Sequence, residues 1–255
     1  MIVYPNAKIN IGLNILKKRE DGYHDISSVF YPLKEYIDIL EIIKSEEFEF
    51  TKSGIEIPDG ENLCVEAWKL LHKDFGIGNV KIHLHKQIPI GAGLGGGSAD
   101  ASFTLKYLNE LFDLNLNNKD LEKYALRLGA DCPFFIDNTP KLVEGIGEKM
   151  TSIDLDLSNY EIRLVNPDIH ISTKEAYSGI VPKTPVLSVE KIIELPIIEW
   201  KGKLKNDFEE SIFEKHLQLE GIKDELYKQG SIYSSMSGSG SIVFGIFEKK
   251  NPHQN

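Results

Sequence analysis

Apolar and polar positions alternate through the opening of the chain: Ile9, Ile11, Leu13 and Ile15 fall in one phase, Lys8, Asn10, Gly12 and Asn14 in the other. A period of two is strand geometry. A first strand is therefore predicted over about Tyr4 to Leu16, with its apolar phase on a core and its polar phase in water. Glu20-Asp21-Gly22 is a turn, and strand-like runs follow at 29–31, 37–43 and 48–51. After a second turn at Pro58-Asp59-Gly60 the period lengthens. Asn62 precedes a helix whose buried residues are predicted as Val65, Leu70 and Leu71. Val80, Ile82 and Leu84 then alternate with Lys81, His83 and His85 in another half-buried strand. Ala101, Leu105, Leu108 and Phe112 recur at helical spacing, with Ser98 placed to cap their first turn. Leu121, Tyr124, Ala125 and Leu128 make the next helix, closed by Gly129.

Glu144 to Glu148 reads as a hairpin, and from about residue 153 the pattern changes. A strand at Glu161–Asn166 leads through the segment Ser172 to Tyr177 and a proline-punctuated stretch ending at Pro196. An amphipathic helix carries Phe208, Ile212, Phe213 and Leu217, and another near Ile222 to Tyr227 ends at Gly230. The last strand is Ile242 to Phe247. There is no internal repeat, and two domains are expected, 1–152 and 153–255.

Residues 88–100 interrupt these patterns with five glycines in thirteen positions, between a strand and a helix. Each glycine in a regular element costs about 1 kcal/mol, so a run of them without a ligand would be an expensive hinge. Gly93, Gly95, Gly96 and Gly97 can instead turn several N–H groups onto one anion, with the positive end of the following helix behind them. Gly91, Gly93 and Gly96 match a dinucleotide fingerprint, but a helix and the Asn115, Asn117, Asn118 turn stand where its second strand belongs. Gly91, Gly96 and Ser98 imitate a phosphate-binding P-loop in which Gly97 replaces the lysine. A lysine must come from elsewhere.

Composition narrows the ligand. The formal net charge of −10 argues against nucleic acid or an anionic membrane as partner. A nucleotide would have to be met locally by loop amides, a few lysines and a divalent cation. No long apolar run or signal-peptide layout is present, so a cytoplasmic protein is expected. Cys64 and Cys132, the two cysteines, read as reduced core thiols.

Several residues can be structural or chemical on this evidence. Lys8 lies on the polar phase of the first strand, and the loop that lacks a lysine singles it out. Asp131, alone among Ala130, Cys132, Pro133, Phe134 and Phe135, either caps a helix or works chemically. Tyr23 and His24 can anchor a turn or hold a planar ring. Asn62 can cap its helix or touch a base. His83 and His85 share a strand face with Lys81 and lack a third ligand, so solvent exposure is expected rather than a metal. The run Ser234 to Ser241 stands between a helix and a core strand, where a linker does not belong; a second backbone surface facing a ligand fits better.

Taken together, Ala7-Lys8-Ile9-Asn10, the loop at 89–99, Gly129-Ala130-Asp131-Cys132-Pro133 and Met236-Ser237-Gly238-Ser239-Gly240 resemble the GHMP kinases. Asp21-Gly22-Tyr23-His24 and Glu61-Asn62-Leu63 look like the branch of that superfamily that phosphorylates a cytidine diphosphate ester of methylerythritol for non-mevalonate isoprenoid synthesis. The resemblance implies an α+β chain with a ribosomal-protein-S5-like N-terminal domain and a ferredoxin-like C-terminal domain. It implies ATP as co-substrate and Mg²⁺. It carries over Lys8 and Asp131 as catalytic pair, and Pro89, Gly91, Gly93, Leu94, Gly95, Gly96, Gly97, Ser98 and Asn62 as ATP contacts. Asn10, Tyr23, His24, Ser237 and Gly238 become substrate contacts, with Tyr177 opposite the Tyr23–His24 pair across the cytosine. No residue is assigned to the metal. A homoserine or mevalonate type of kinase, or a regulator that binds nucleotide without catalysis, are the alternatives.

Overall fold

The computed structural model describes residues 2–58 and 60–249; Asp59, in the turn expected at 58–60, lies outside them. In chain order the strands and helices of the first half are β1 (Ile2–Val3), β2 (Asn6–Lys18), β3 (His24–Ile37), β4 (Ile39–Lys44), β5 (Glu49–Gly54), α1 (Leu63–Phe75), β6 (Val80–Lys86), α2 (Gly96–Leu111), α3 (Asn118–Leu128) and α4 (Phe134–Asp137). Those of the second half are β7 (Lys141–Gly145), β8 (Lys149–Ser152), β9 (Tyr160–Val165), α5 (Thr173–Ser178), α6 (Val189–Ile193), α7 (Phe208–Lys215), α8 (Leu217–Lys228), β10 (Tyr233–Met236) and β11 (Val243–Glu248). The class is α+β. Two compact units divide the chain: the described residues of Met1–Lys8, Pro32–Ile90 and Leu94–Thr139, and those of Ile9–Tyr31, Gly91–Gly93 and Pro140–Asn255.

The first unit holds a four-stranded sheet in the order β1-β4-β6-β5, in which only the β5–β6 pair is parallel. Leu40, Ile42, Ile82 and Leu84 from the sheet share one core with Leu71 of α1 and Leu105 of α2. Asn62 starts α1 by accepting from the Cys64 N–H, and Gly76 ends it at φ +65°. Of the residues expected inside α1, Leu71 is buried but Val65 and Leu70 are half-buried; Cys64 and Ala67 take the inner positions because the helix turns its smaller side chains to α2. α3 ends where expected, although Gly129 is extended (φ 173°) rather than left-handed.

The second unit contains the three-stranded sheet β10-β11-β9, and the sheet β2-β3-β7-β8 has most of its residues there. Phe208 and Ile212 of α7, Leu219 and Leu226 of α8, Met236 and Val243 form its core. The helix predicted through Leu217 stops at Lys215; Leu217 starts α8 and is 71% exposed, so its apparent helical spacing spans two elements. The run beginning at Ser234 is not a linker: Ser234, Ser235 and Met236 belong to β10, and Ser234, Ser235, Ser237 and Ser241 are buried.

β2 departs most from expectation. Every residue from Asn6 to Ile15 is buried, so the polar phase is not a wet face: Lys8 is 3% and Asn10 2% exposed. Alternation separates two faces of a strand without telling what covers the second.

Candidate active site

In the first unit the glycine-rich loop enters α2 through Gly95, the N-cap, at φ +68° and with no side chain to satisfy the helix's first N–H groups. Ser98 does not cap α2 as expected. It lies inside the first turn, and its carbonyl is 2.8 Å from Ser102 Oγ. Free helix-start amides of this kind, with the dipole behind them, attract anions. Leu94 and Gly96 are buried, Gly95 and Ser98 half-buried and Gly97 exposed. Gly96 packs inward: a Cβ there would stand 2.8 Å from Lys86 Nζ and 2.9 Å from Ile88 Cγ2.

Lys8 runs beneath this loop. Its N–H donates to the Leu94 carbonyl at 2.9 Å, and its stem lies so near Gly95 that a Cβ there would be 3.1 Å from Lys8 Cε. Its ammonium is 3.4 Å from Asp131 Oδ2, with side-chain exposures of 4% and 35%. Asp131 is not the cap of α4; Pro133 is, without a side-chain bond. Ser102 Oγ also lies 2.7 Å from the Cys132 carbonyl, so its single proton serves either the first turn of α2 or the turn that carries Asp131. Lys8, Asp131 and the loop from Leu94 to Ser98 are thus brought together. Cys132 and Cys64 are buried free thiols; burial pushes Cys132 up to about 11 and raises Cys64 as well.

Asn62 caps α1 with Oδ1, at 2.9 Å from the Cys64 N–H, and borders a cleft of about 320 Å³ also lined by Phe50, Lys52, Ile57, Pro58 and Lys69. His83 and His85 are half-buried rather than solvent-exposed. His83 meets Thr51 and Ser53, and His85 meets Ser53, because the parallel register sets those hydroxyls opposite the rings. No group of three or more His, Cys, Asp or Glu suited to a metal occurs among the described residues.

The second unit assembles a separate set. Ser237 Oγ accepts from the Asn10 N–H at 3.2 Å and donates to the Gly93 carbonyl at 3.0 Å. A Cβ on Gly93 would collide with the Ser237 carbonyl, so glycine is required at this approach. Asn10 Nδ2 donates to Ser28 Oγ at 3.0 Å, and Gly238 is buried beside Asn10. Gly91 is exposed and Pro89, in the first unit, half-buried. Sequence reasoning missed Asn206, whose Nδ2 donates to the Met236 and Gly238 carbonyls, both at 2.8 Å.

The rings are arranged differently from expectation. His24 and Tyr177 stack directly, centroids 4.8 Å apart at 26°, and Tyr177 meets Phe208 edge-on. A base sandwiched between two rings needs them about 7 Å apart, a gap that the His24–Tyr177 pair does not leave. Burial, helped by Lys18, lowers the His24 pKa and keeps the ring neutral at pH 7. Tyr23 is 61% exposed. A larger hollow of about 730 Å³, lined by Asp207, Glu209, Phe213, Lys223 and Tyr227 among others, includes none of the residues predicted from sequence.

Known proteins resemble this chain over nearly its whole length. The model for the GHMP kinases N terminal domain matches residues 62–138, and that for the GHMP kinases C terminal matches 194–255. A 4-diphosphocytidyl-2-C-methyl-D-erythritol kinase of Parabacteroides distasonis is 50% identical over 98% of this chain and 92% of its own. The kinase of the same name from Azobacteroides pseudotrichonymphae is 51% identical over 98% and 94%. A crystal structure of 4-(cytidine 5'-diphospho)-2C-methyl-D-erythritol kinase superposes with a TM-score of 0.83 at 32% identity, covering 96% of this chain and 90% of that one. Among the described residues, no helix is long and apolar enough to cross a membrane.

Proposed function

The chain belongs to the GHMP kinases, and from that premise we propose that it transfers the γ-phosphoryl group of ATP to the 2-hydroxyl of 4-diphosphocytidyl-2-C-methyl-D-erythritol, in non-mevalonate isoprenoid precursor synthesis. Its relatives carry the name of that reaction. The observation that supports it most is the Lys8–Asp131 pair seated against an uncapped, glycine-built helix start.

The hydroxyl oxygen attacks the γ-phosphorus, the bond to the β-phosphate oxygen breaks, and ADP leaves. A hydroxyl is far too weak an acid for an aspartate of ordinary pKa about 4 to deprotonate beforehand. In a loose transition state the proton leaves late, so Asp131 orients the hydroxyl and takes its proton as the new bond forms. Lys8 meets charge on the transferring group, and the N–H groups of the 95–98 turn hold the phosphates. Asn62 and its neighbouring cleft take the base of ATP. Mg²⁺, which favours phosphate oxygens and water over a protein cage, would come with the nucleotide and supply positive charge to its phosphates. Asn10, Tyr23, His24, Tyr177, Ser237 and Gly238 hold the acceptor, with the cytosine on an outer face of the His24–Tyr177 stack. Residues 1–152 carry the nucleotide-binding half and 153–255 the other. The reaction is cytoplasmic.

The test is a panel of acceptors with Mg-ATP, scored for phosphorylated product by mass. The cytidine diphosphate ester is turned over, and homoserine and mevalonate are not. Asp131→Asn and Lys8→Ala each lose about 10³-fold or more in kcat while nucleotide still binds. An Asp131→Asn enzyme of near-normal rate removes the base assignment, and turnover of a different alcohol removes the substrate.

A further inference from the structure

Behind the first turns of α2 lie three ionisable side chains that phosphoryl transfer does not use. Lys86, the last residue of β6, sets Nζ 2.5 Å from Asp38 Oδ2 and 2.7 Å from Asp100 Oδ2. None of the three side chains is more than 3% exposed. Asp38 Oδ1 accepts from the N–H groups of Gln87 at 2.6 Å and Ile88 at 2.9 Å, the residues that lead into the glycine-rich loop. Asp100 belongs to α2, the helix that leaves it, and its Oδ1 has no partner. The Lys86 ammonium is packed against Gly96, where even a methyl group would crowd it. One buried cation therefore ties the strand entering the loop to the helix leaving it.

Two carboxylates against one ammonium would leave an uncompensated negative charge without water, a costly state that a retained proton relieves. Asp38 is met by donors on both oxygens, whereas one oxygen of Asp100 meets none. We propose that Lys86, Asp38 and Asp100 are positioning residues for the nucleotide loop, with Lys86 clamping its two ends and Asp100, whose second oxygen meets no donor, carrying the proton that the buried cluster retains. The inference rests on the kinase reading only in taking ATP as the ligand of the loop.

Burial pushes Asp100 up to about 7, with Lys86 pulling it back and Asp38 adding to the rise. Burial also works against the Lys86 ammonium, yet the two carboxylates outweigh it and hold its pKa above the ordinary value. From α1 the titratable neighbour is Cys64, whose thiol burial drives upward and keeps neutral. The buried residues of β4, α3 and α4 are Leu40 and Ile42, Leu121 and Ala125, and Phe134 to Ile136, none of them charged. Because the folded-state pKa is raised, the stability contributed by neutral Asp100 is complete below the ordinary aspartate value of about 4. It is lost as pH rises through about 7. Ionised Asp100 then sets a second negative charge behind the phosphate-facing turn and weakens nucleotide binding.

The experiment measures Mg-ATP affinity by equilibrium titration without acceptor, between about pH 6 and about pH 8.5, together with carboxyl ¹³C NMR of Asp100 and thermal melting. Wild-type affinity should fall about threefold or more across that range. Asp100→Asn, which fixes the neutral form, should bind like the wild type at the acid end and flatten the profile. Lys86→Met should weaken binding about tenfold or more at every pH. If Lys86→Met does not fold, Asp100→Asn and the NMR titration decide. Superimposable profiles for the wild type and Asp100→Asn, an Asp100→Asn protein that fails to fold, or a carboxyl that titrates near 4 would overturn the proposal. An acceptor panel without product, beside pH-dependent Mg-ATP binding, would instead sink the substrate assignment and leave this one standing.

Discussion

Replacing Gly97 by alanine should make the protein more stable and a poorer binder of ATP at once. Gly97 is exposed in the first turn of α2, is not in the left-handed region, and a Cβ there would have only Leu63 Cδ1 nearby, at 4.0 Å. With no clash to offset it, alanine recovers about 0.5–1 kcal/mol of helix propensity. At about 2–4 °C per kcal/mol for a chain of this size, the melting temperature rises by about 1–4 °C. The same methyl group occupies the approach of a phosphate to the helix-start amides. Loss of one hydrogen bond to a charged group costs about 1.5–3 kcal/mol, an affinity loss of about 10- to 100-fold. Gly95→Ala reverses the sign of the stability effect. Its left-handed backbone adds about 1–2 kcal/mol of strain, and contacts at 3.1 Å with Lys8 Cε and Phe135 Cζ add about 1–3 kcal/mol of overpacking. Differential scanning fluorimetry and Mg-ATP titration of both variants suffice. Unchanged ATP affinity in Gly97→Ala would refute the anion cradle, and a lower melting temperature would refute the local geometry.

Two other outcomes follow from the second unit. Asn206→Asp turns two donated bonds into carboxylate–carbonyl repulsion at the Met236–Gly238 turn, costing about 2–5 kcal/mol; melting within 1 °C of wild type, roughly the spread of a neutral surface change, would refute the clamp. His24 has a depressed pKa from burial and Lys18, so its stacked, neutral state contributes stability above the ordinary value of about 6.5 and loses it as pH falls through the lower folded value. An NMR titration of His24 should find its midpoint below about 6.5 and move upward in Lys18→Met; a midpoint at or above that value refutes the environment described.

The sequence disclosed the glycine loop because glycine between strand and helix has few other physical uses, and it directed attention to Lys8 because a phosphate loop without a lysine is incomplete. The alternation in β2 was legible, but burial of its polar phase depends on long-range packing. Lys86 and Asp38 left a signal that went unread. Lys86 continues the inward phase of Val80, Ile82 and Leu84, and Asp38 that of Leu40 and Ile42. A charge on a buried phase marks an internal ion pair before any coordinates exist. Asn206 left no such mark, since its partners are backbone carbonyls about thirty residues away. The direct His24–Tyr177 stack was equally hidden, because an aromatic ring and an imidazole distant in sequence can sandwich a ligand or each other.

The enclosure of β2 from Asn6 to Ile15 also sets where the gene can change length. Dropping or adding one codon between Lys8 and Asn14 would exchange the strand's two side-chain rows, driving isoleucines into the amide-lined slots and the ammonium into hydrocarbon. The stretch from Thr184 to Leu187, with Val186 in solvent, has no such rows to exchange. Epitope tags and natural indels therefore belong there, while the opening strand admits only same-length replacement.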